Sequence, residues 1–151
     1  MRLDLVGLGL GALLLSIAVG CGKAGPEAPP LVPVSGTVTL DGKPLANASV
    51  TFLPVAGTSG ARSPYGFTGP DGRYELMYDN EHKGSPEGSF EVVCNKWVMP
   101  DGSDFPRDSG QSPIEVAREL LPPNYSQEGM SELKATVPAG GGTIDFELKS
   151  K

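Results

Sequence analysis

The chain has 151 residues, a length that suits one domain once a targeting segment is set aside. Its formal net charge at pH 7 is −6, and of its 12 basic residues only Arg2 precedes Lys23, so the chain beyond residue 20 is acidic. An acidic surface argues against nucleic-acid binding, which needs Lys and Arg to neutralise phosphates, and against docking on anionic lipid through a basic patch.

The first twenty residues have the pattern of a signal peptide. Arg2 precedes an apolar stretch at 5–19 that is too short and too rich in glycine for a membrane-spanning helix. The stretch ends in AVGC, residues 18–21, which resembles the lipobox of bacterial lipoproteins. In that family the cysteine becomes the diacylated N-terminal residue after cleavage, so the resemblance implies a lipoprotein signal peptide over 1–20 and a lipid on Cys21. An ordinary secretory signal and an uncleaved membrane anchor are the alternatives.

A proline-rich segment, GKAGPEAPPLVP at 22–33, follows the cysteine. This composition favours extended, polyproline-like backbone, so we predict that 21–33 is a flexible linker; at about 3.1 Å per residue it would lift a domain roughly 35–40 Å from a bilayer. Among exported lipoproteins, a residue other than Asp after the cysteine usually accompanies transfer to the outer membrane, and Gly22 agrees with this. We therefore expect an exported protein anchored by lipid, on the outer membrane or facing the periplasm.

From Val34 onward, apolar and polar residues alternate with the period of a β-strand. Glycine, proline and Asp-Gly turns separate these runs. The predicted strands are 34–40, 48–54, 65–68, 73–78, 90–97, 131–137 and 143–149. One sheet cannot bury its own apolar face, so we predict an all-β fold with two sheets packed as a β-sandwich of about seven strands.

A long loop at 98–130, rich in Pro, Gly, Asp and Ser, interrupts the strand pattern. Within it, SPIEVARELL at 112–121 predicts a helix, because Ser112 and Glu115 have capping-box spacing and Pro113 suits the first turn. The residues expected to share its apolar face are Ile114, Ala117, Leu120 and Leu121. Loops of this length in compact domains are often functional.

Three segments together resemble the carboxypeptidase regulatory-like domain: VSGTVTLDGKPLANASVTF (34–52), TGPDGRYEL (68–76) and GSFEVVC (88–94). They follow that family's order of G-x-V, D-G-x-P-L-x-x-A-x-V, T-x-x-D-G-x-Y and G-x-F-x-V. The end, 120–149, resembles small bacterial lipoproteins that carry this module alone. The resemblance implies a Greek-key, prealbumin-like (transthyretin-like) sandwich over 34–151. It also implies an accessory or binding role, because in carboxypeptidases the module contains no catalytic residues.

Neither cysteine nor histidine forms a recognisable reactive motif. Cys94 alternates with Phe90 and Val92 on one face of a predicted strand, and we interpret it as a small buried hydrophobic residue. Two cysteines are too few for a disulfide framework, and no CxxC or HxxxH spacing occurs. The single histidine, His82, lies in a polar turn beside Lys83, so a hydrolase built on it is the least favoured hypothesis.

Three carboxylates of the long loop, Asp101, Asp104 and Asp108, offer the oxygen ligands that calcium prefers. Their spacing does not match an EF-hand loop, so we favour a solvated loop. Neither a metal nor a cofactor is expected.

Three aromatic residues near the loop, Trp97, Phe105 and Tyr125, are the candidate binding surface. Trp97 alternates opposite the Cys94 face, so partial exposure is expected. Exposed aromatic rings stack on sugars or contact partner proteins, whereas covering a sheet edge is the structural alternative.

The sequence therefore predicts a non-catalytic lipoprotein of the cell envelope that serves as a binding or structural module for a protein or envelope partner. A polysaccharide-binding accessory protein that uses this aromatic surface is the alternative.

Overall fold

The computed structural model describes residues 28–58 and 62–150, and these form a β-sandwich. The predicted signal peptide at 1–20 and Cys21 lie outside the described residues. In chain order the strands are β1 (Val34–Leu40), β2 (Lys43–Pro44), β3 (Ser49–Pro54), β4 (Tyr65–Phe67), β5 (Arg73–Glu75), β6 (Gly88–Asn95), β7 (Trp97–Val98), β8 (Arg118–Glu119), β9 (Lys134–Val137), β10 (Gly142–Thr143) and β11 (Phe146–Leu148). The helical segments are a 3-10 turn (Arg107–Ser109), α1 (Pro113–Val116) and α2 (Pro123–Ser126).

Strand β1 is the centre of the first sheet. Strands β5 and β2 pair antiparallel with one side of β1, and β10 and β11 pair parallel with its other side, where Phe146 lies opposite Val38. The sequence predicts one strand over 143–149, but the structure divides it into β10 and β11. Between the two parts, the carboxylate of Asp145 accepts a hydrogen bond from the backbone N–H of Thr37 at 2.7 Å.

The second sheet has the order β4-β3-β6-β9, and all its neighbours are antiparallel. Because β3 pairs with both β4 and β6, Ser49 lies between Phe67 and Asn95. Alternation along each strand turns these three side chains outward, since Val50 and Cys94, the next pair along, are fully buried in the core.

The two sheets enclose one hydrophobic core. The ring centroid of Phe52 is 5.6 Å from that of Phe90 in its own sheet and 6.2 Å from that of Phe146 in the other. Tyr74 stacks on Phe146 with centroids 6.4 Å apart. The alternation of every predicted strand except 65–68 is confirmed by the buried set, which includes Val34, Val38, Val50, Phe52, Tyr74, Leu76, Phe90, Val92, Cys94, Ala135, Val137, Phe146 and Leu148. The prediction of an all-β sandwich is therefore confirmed.

Residues 28–33 lie along one end of the sandwich, which we call the linker end. The backbone N–H of Val32 donates to the carbonyl of Ser85 at 2.9 Å, and the N–H of Ser85 donates back at 3.0 Å. Val32, which falls within the predicted linker at 21–33, is therefore paired with the sandwich. Among the described residues, no helix has the length and apolar character needed to cross a membrane.

The segment 98–130 is folded for much of its length. Strand β8 pairs with β7, and α2 packs on β6. The side-chain amide of Asn95 donates to the carbonyl of Ser126 at 3.0 Å, and the N–H of Gly129 donates to the carboxylate of Glu91 at 2.6 Å. These bonds hold the segment against the outer face of the second sheet.

The helix predicted over 112–121 is wrong beyond its first turn. Helix α1 has only four residues, and Arg118–Glu119 leave it to form β8. Ser112 makes no side-chain capping bond, and Ile114 is 78% exposed instead of packed. So short a helix has little stability of its own, and pairing with β7 replaces it.

Candidate functional site

A groove opens on the outer face of the second sheet, between the sheet and the covering segment. Its volume is about 190 Å³. We call it the aromatic groove, and it is lined by Asn47, Ser49, Phe67, Asn95, Trp97, Phe105, Arg107 and Pro113. The outward-facing side chains of Ser49, Phe67 and Asn95 in the second sheet form its floor, and residues 105–113 form one wall.

The aromatic groove lies at the opposite end of the sandwich from the linker. Strand β1 begins next to Val32 and ends at Leu40, at the other end of the sandwich. Strand β2 pairs with these last residues of β1, and the chain then continues to Ser49 at the groove. Strand β3 begins at Ser49 and ends just before Val55, which therefore marks the linker end. The N–H of Val55 donates to the carbonyl of Ser89 at 3.2 Å. Ser89 follows closely on Ser85, the partner of Val32. We call the groove's end the far end.

Two of the predicted aromatic residues meet in the groove. The N–H of Phe105 donates to the carbonyl of Trp97 at 3.1 Å, so the loop returns directly over β7. Phe67 on β4 adds a third ring, 46% exposed, and the guanidinium carbon of Arg107 sits 4.3 Å from the centre of that ring. This distance is typical of a cation–π contact.

Tyr125, the third predicted member of the surface, is absent from the groove lining. It lies on α2, where it is partly buried against the hydrophobic core. Helix α2 is held there by Ser126, whose hydroxyl donates to the carbonyls of Leu121 and Pro122 at 3.2 and 3.1 Å.

A buried ammonium group holds the wall of the groove in place. The side chain of Lys96 is only 8% exposed, and its Nζ donates to the carbonyl of Ala46 at 2.7 Å and to the carboxylate of Asp104. Asp104 also accepts from the side-chain amide of Asn47. The hydrogen bond from Lys96, followed by that from Asn47, lowers the pKa of Asp104 below its usual range. Asp104 therefore fastens the loop to the sheet as a charged acceptor.

A second carboxylate, that of Glu119 on β8, joins the covering segment to Asn95 at the end of β6 and to Lys96 next to it. One oxygen accepts from the backbone N–H groups of Lys96 and Leu121, each at 2.9 Å. The other oxygen accepts from the side-chain amide of Asn95 at 2.9 Å. Glu119 therefore orients Asn95 at the groove floor.

Two of the three loop carboxylates considered as calcium ligands make hydrogen bonds within the protein, and the third, Asp108, is exposed. Asp101 accepts from the N–H and hydroxyl of Ser103 at 2.9 and 2.6 Å, and Asp104 is bound to Lys96. Within 28–58 and 62–150, no three His, Cys, Asp or Glu side chains converge in a way that could hold a metal ion.

The other candidate reactive groups lie away from the groove lining. Cys94 is fully buried, and burial raises the pKa of its thiol to about 12, which confirms its interpretation as a small core residue. His82 lies near the linker end with a half-exposed side chain, and its Nδ1 is 2.8 Å from the carboxylate of Asp79. In the described part of the chain, no serine or threonine hydroxyl is hydrogen-bonded to that ring.

Sequence reasoning missed Phe67, Arg107 and the polar floor. Alternation in the run at 65–68 could have turned Phe67 outward, but the register that aligns it with Ser49 and Asn95 is set by pairing between strands far apart in sequence. No local signal places Arg107 over Phe67.

Comparisons with known proteins identify no relative for this chain. No family model matches it, and no curated protein matches it. Among solved structures, a 9R-lipoxygenase from Cyanothece PCC8801 matches with 18% identity and a TM-score of 0.33, over 79% of this chain and 16% of that chain. So low a score says nothing about fold or function.

Proposed function

We propose that this protein is an exported, lipid-anchored binding module of the cell envelope, and that it engages its partner at the aromatic groove. The observation that carries the proposal is the position of the groove, at the far end of the sandwich from the chain segment that leads back to Cys21. A domain anchored at one end presents its other end to the surroundings.

The short distance between anchor and domain supports the proposal. Pro29, Pro30 and Val32 already line a cleft with Pro86 of the sandwich. Only seven backbone steps separate Cys21 from Ala28, and a fully extended chain spans at most about 25 Å over that distance. A lipid on Cys21 would therefore keep the linker end close to the bilayer, and the groove would lie at the end farther from it.

The composition of the groove supports binding without catalysis. Its lining includes a serine, two asparagines and an arginine, and no histidine, cysteine or carboxylate. A nucleophilic serine needs a neighbouring base, and His82 lies at the opposite end of the domain.

A Cys21→Ala substitution tests the anchor. We expect the variant to lose metabolic labelling with fatty acid and to leave the membrane fraction, because stable anchoring depends on the acyl chains. Cys94→Ala is the matched control, since it changes the other cysteine and should stay labelled and membrane-bound. If Cys21→Ala remained in the membrane fraction like the unmodified protein, the anchor would be wrong.

A further inference from the structure

The geometry points to a glycan as the ligand of the aromatic groove, with one sugar ring lying against its aromatic side chains. This inference rests on the proposed function, because it names the class of ligand for the same groove. The juxtaposition that carries it is an outward polar row, Ser49 and Asn95, beside the rings of Phe67, Trp97 and Phe105.

The floor of the groove has hydrogen-bonding groups that are free to meet a ligand. The side-chain amide N–H groups of Asn95 donate to Glu119 and Ser126, so the side-chain oxygen is the hydrogen-bonding atom that this groove residue has left for a ligand. Among the hydrogen bonds of residues 28–58 and 62–150, the hydroxyl of Ser49 and the indole N–H of Trp97 also have no partner. These groove groups therefore include both hydrogen-bond donors and acceptors. A sugar hydroxyl can pair with either kind, because a hydroxyl both donates and accepts hydrogen bonds.

A purely apolar occupant, such as a leucine side chain of a protein partner, fits this floor poorly. It would cover the groups of Ser49, Asn95 and Trp97 without replacing their hydrogen bonds to water, and unpaired buried polar groups cost free energy. Sites that present polar groups discriminate strongly against ligands that lack the matching hydroxyl.

The exposed parts of the three aromatic rings supply the complementary apolar contact, and Arg107 covers one face of Phe67. Phe67 is 46% exposed, and Trp97 and Phe105 are partly exposed. An aromatic face carries negative potential, which attracts the polarised C–H groups on the face of a sugar ring. The side-chain pair of Arg107 and Phe67 adds a guanidinium donor at the rim.

The size and charge of the groove agree with a single ring of a longer chain. Its volume of about 190 Å³ is below the roughly 300 Å³ at which pockets for drug-sized ligands begin. Arg107 is the one ionisable side chain of the lining, and its charge already acts on Phe67 and Asp104. Nothing in the lining therefore selects a multiply charged ligand.

Trp97 is the single tryptophan of the chain, so all tryptophan emission comes from one residue of the groove lining. We would titrate the full chain, in detergent solution, with oligosaccharides of glucose, mannose, galactose and N-acetylglucosamine, and with glycan strands released from peptidoglycan. We expect a saturable change in Trp97 emission with at least one of these probes. In Phe67→Ala the apparent Kd should rise by about tenfold or more, as for other central aromatic contacts. Met130→Ala, at an exposed position outside the groove, should bind like the unmodified protein.

Two results would overturn the glycan inference: no saturable change with any probe, or a change that Phe67→Ala leaves intact. Trp97→Ala, followed by retention in gels containing the binding polysaccharide, gives an independent readout that should lose retention. If all probes failed while a groove-dependent cross-link formed in cells, the proposed binding function would stand and only the ligand class would be wrong.

Discussion

Gly36 illustrates how one residue allows the first sheet to form. A Cβ atom there would lie 1.8 Å from the carbonyl oxygen of Ile144 and 2.8 Å from the ring of Tyr74. The hydroxyl of Tyr74 crosses this space and donates to the same carbonyl at 2.7 Å. The absence of a side chain therefore lets an interstrand hydrogen bond form across β1 between segments 70 residues apart.

We predict that Gly36→Ala destabilises the domain by about 3 kcal/mol, because backbone or ring must move to admit the methyl group. Urea unfolding followed by circular dichroism measures this. Gly142→Ala is the matched control in the same sheet, since its Cβ would meet nothing within 4 Å. That variant should stay within about 0.5 kcal/mol of the unmodified protein. Equal losses in both variants would contradict the close-packing explanation.

The role of Gly36 was only partly readable in the sequence. Its place in an alternating strand predicts an inward position, and the G-x-V motif resembles a family pattern. Its neighbour Ile144 lies between β10 and β11, more than 100 residues later, and no local pattern encodes that contact. The same limit hid the groove, because no local pattern brings Phe67 beside Trp97 and Phe105 or places Arg107 over Phe67.

At the scale of elements, the segment 98–130 shows where periodicity misleads. The spacing of Ile114, Leu120 and Leu121 fits a helix, but only Leu121 is buried. Glu119, placed inside that predicted helix, instead accepts two backbone hydrogen bonds and one from Asn95. Tertiary bonds to a neighbouring strand outweigh local helix propensity here. The regular strands, by contrast, were predictable because their alternation reports one buried face.

Asp104 should hold the groove wall only while it is ionised. We predict that Asp104→Asn destabilises the protein by about 1 kcal/mol at pH 7, a value reduced for solvent screening because the carboxylate side chain is 44% exposed. It removes the charge that partners the buried ammonium of Lys96. Asp108→Asn, the same change at an exposed position of this loop, is the control and should be near neutral. Urea unfolding of both variants makes the comparison.

The pH dependence of that difference gives a further check. Because folding lowers the pKa of Asp104, its stabilisation is complete above the usual aspartate pKa of about 3.9 and is lost as pH falls through the lower folded value. The stability gap between the unmodified protein and Asp104→Asn should therefore be constant from pH 7 to 5 and close in stronger acid. A gap that widened in acid would contradict this account.

At the scale of the whole molecule, the linker and the aromatic groove lie at opposite ends of the sandwich. The linker joins at one end, where Val32 pairs with Ser85, and the aromatic groove opens at the other. The sequence allowed the sandwich and the proposed anchor to be inferred, since both depend on local patterns. It did not reveal which end holds the groove, because that depends on strand order and register. In the proposed arrangement, the groove lies at the end of the sandwich farther from the bilayer.

The most direct test of this arrangement is photo-cross-linking in intact cells from matched positions at the two ends. Benzoylphenylalanine would replace Ile114, exposed beside the groove residue Pro113, or Val55, exposed at the linker end. We predict a discrete adduct from position 114 that disappears when Trp97→Ala is added, and no such adduct from position 55. The same adduct from both positions, or one from 114 that survives Trp97→Ala, would contradict binding at the aromatic groove.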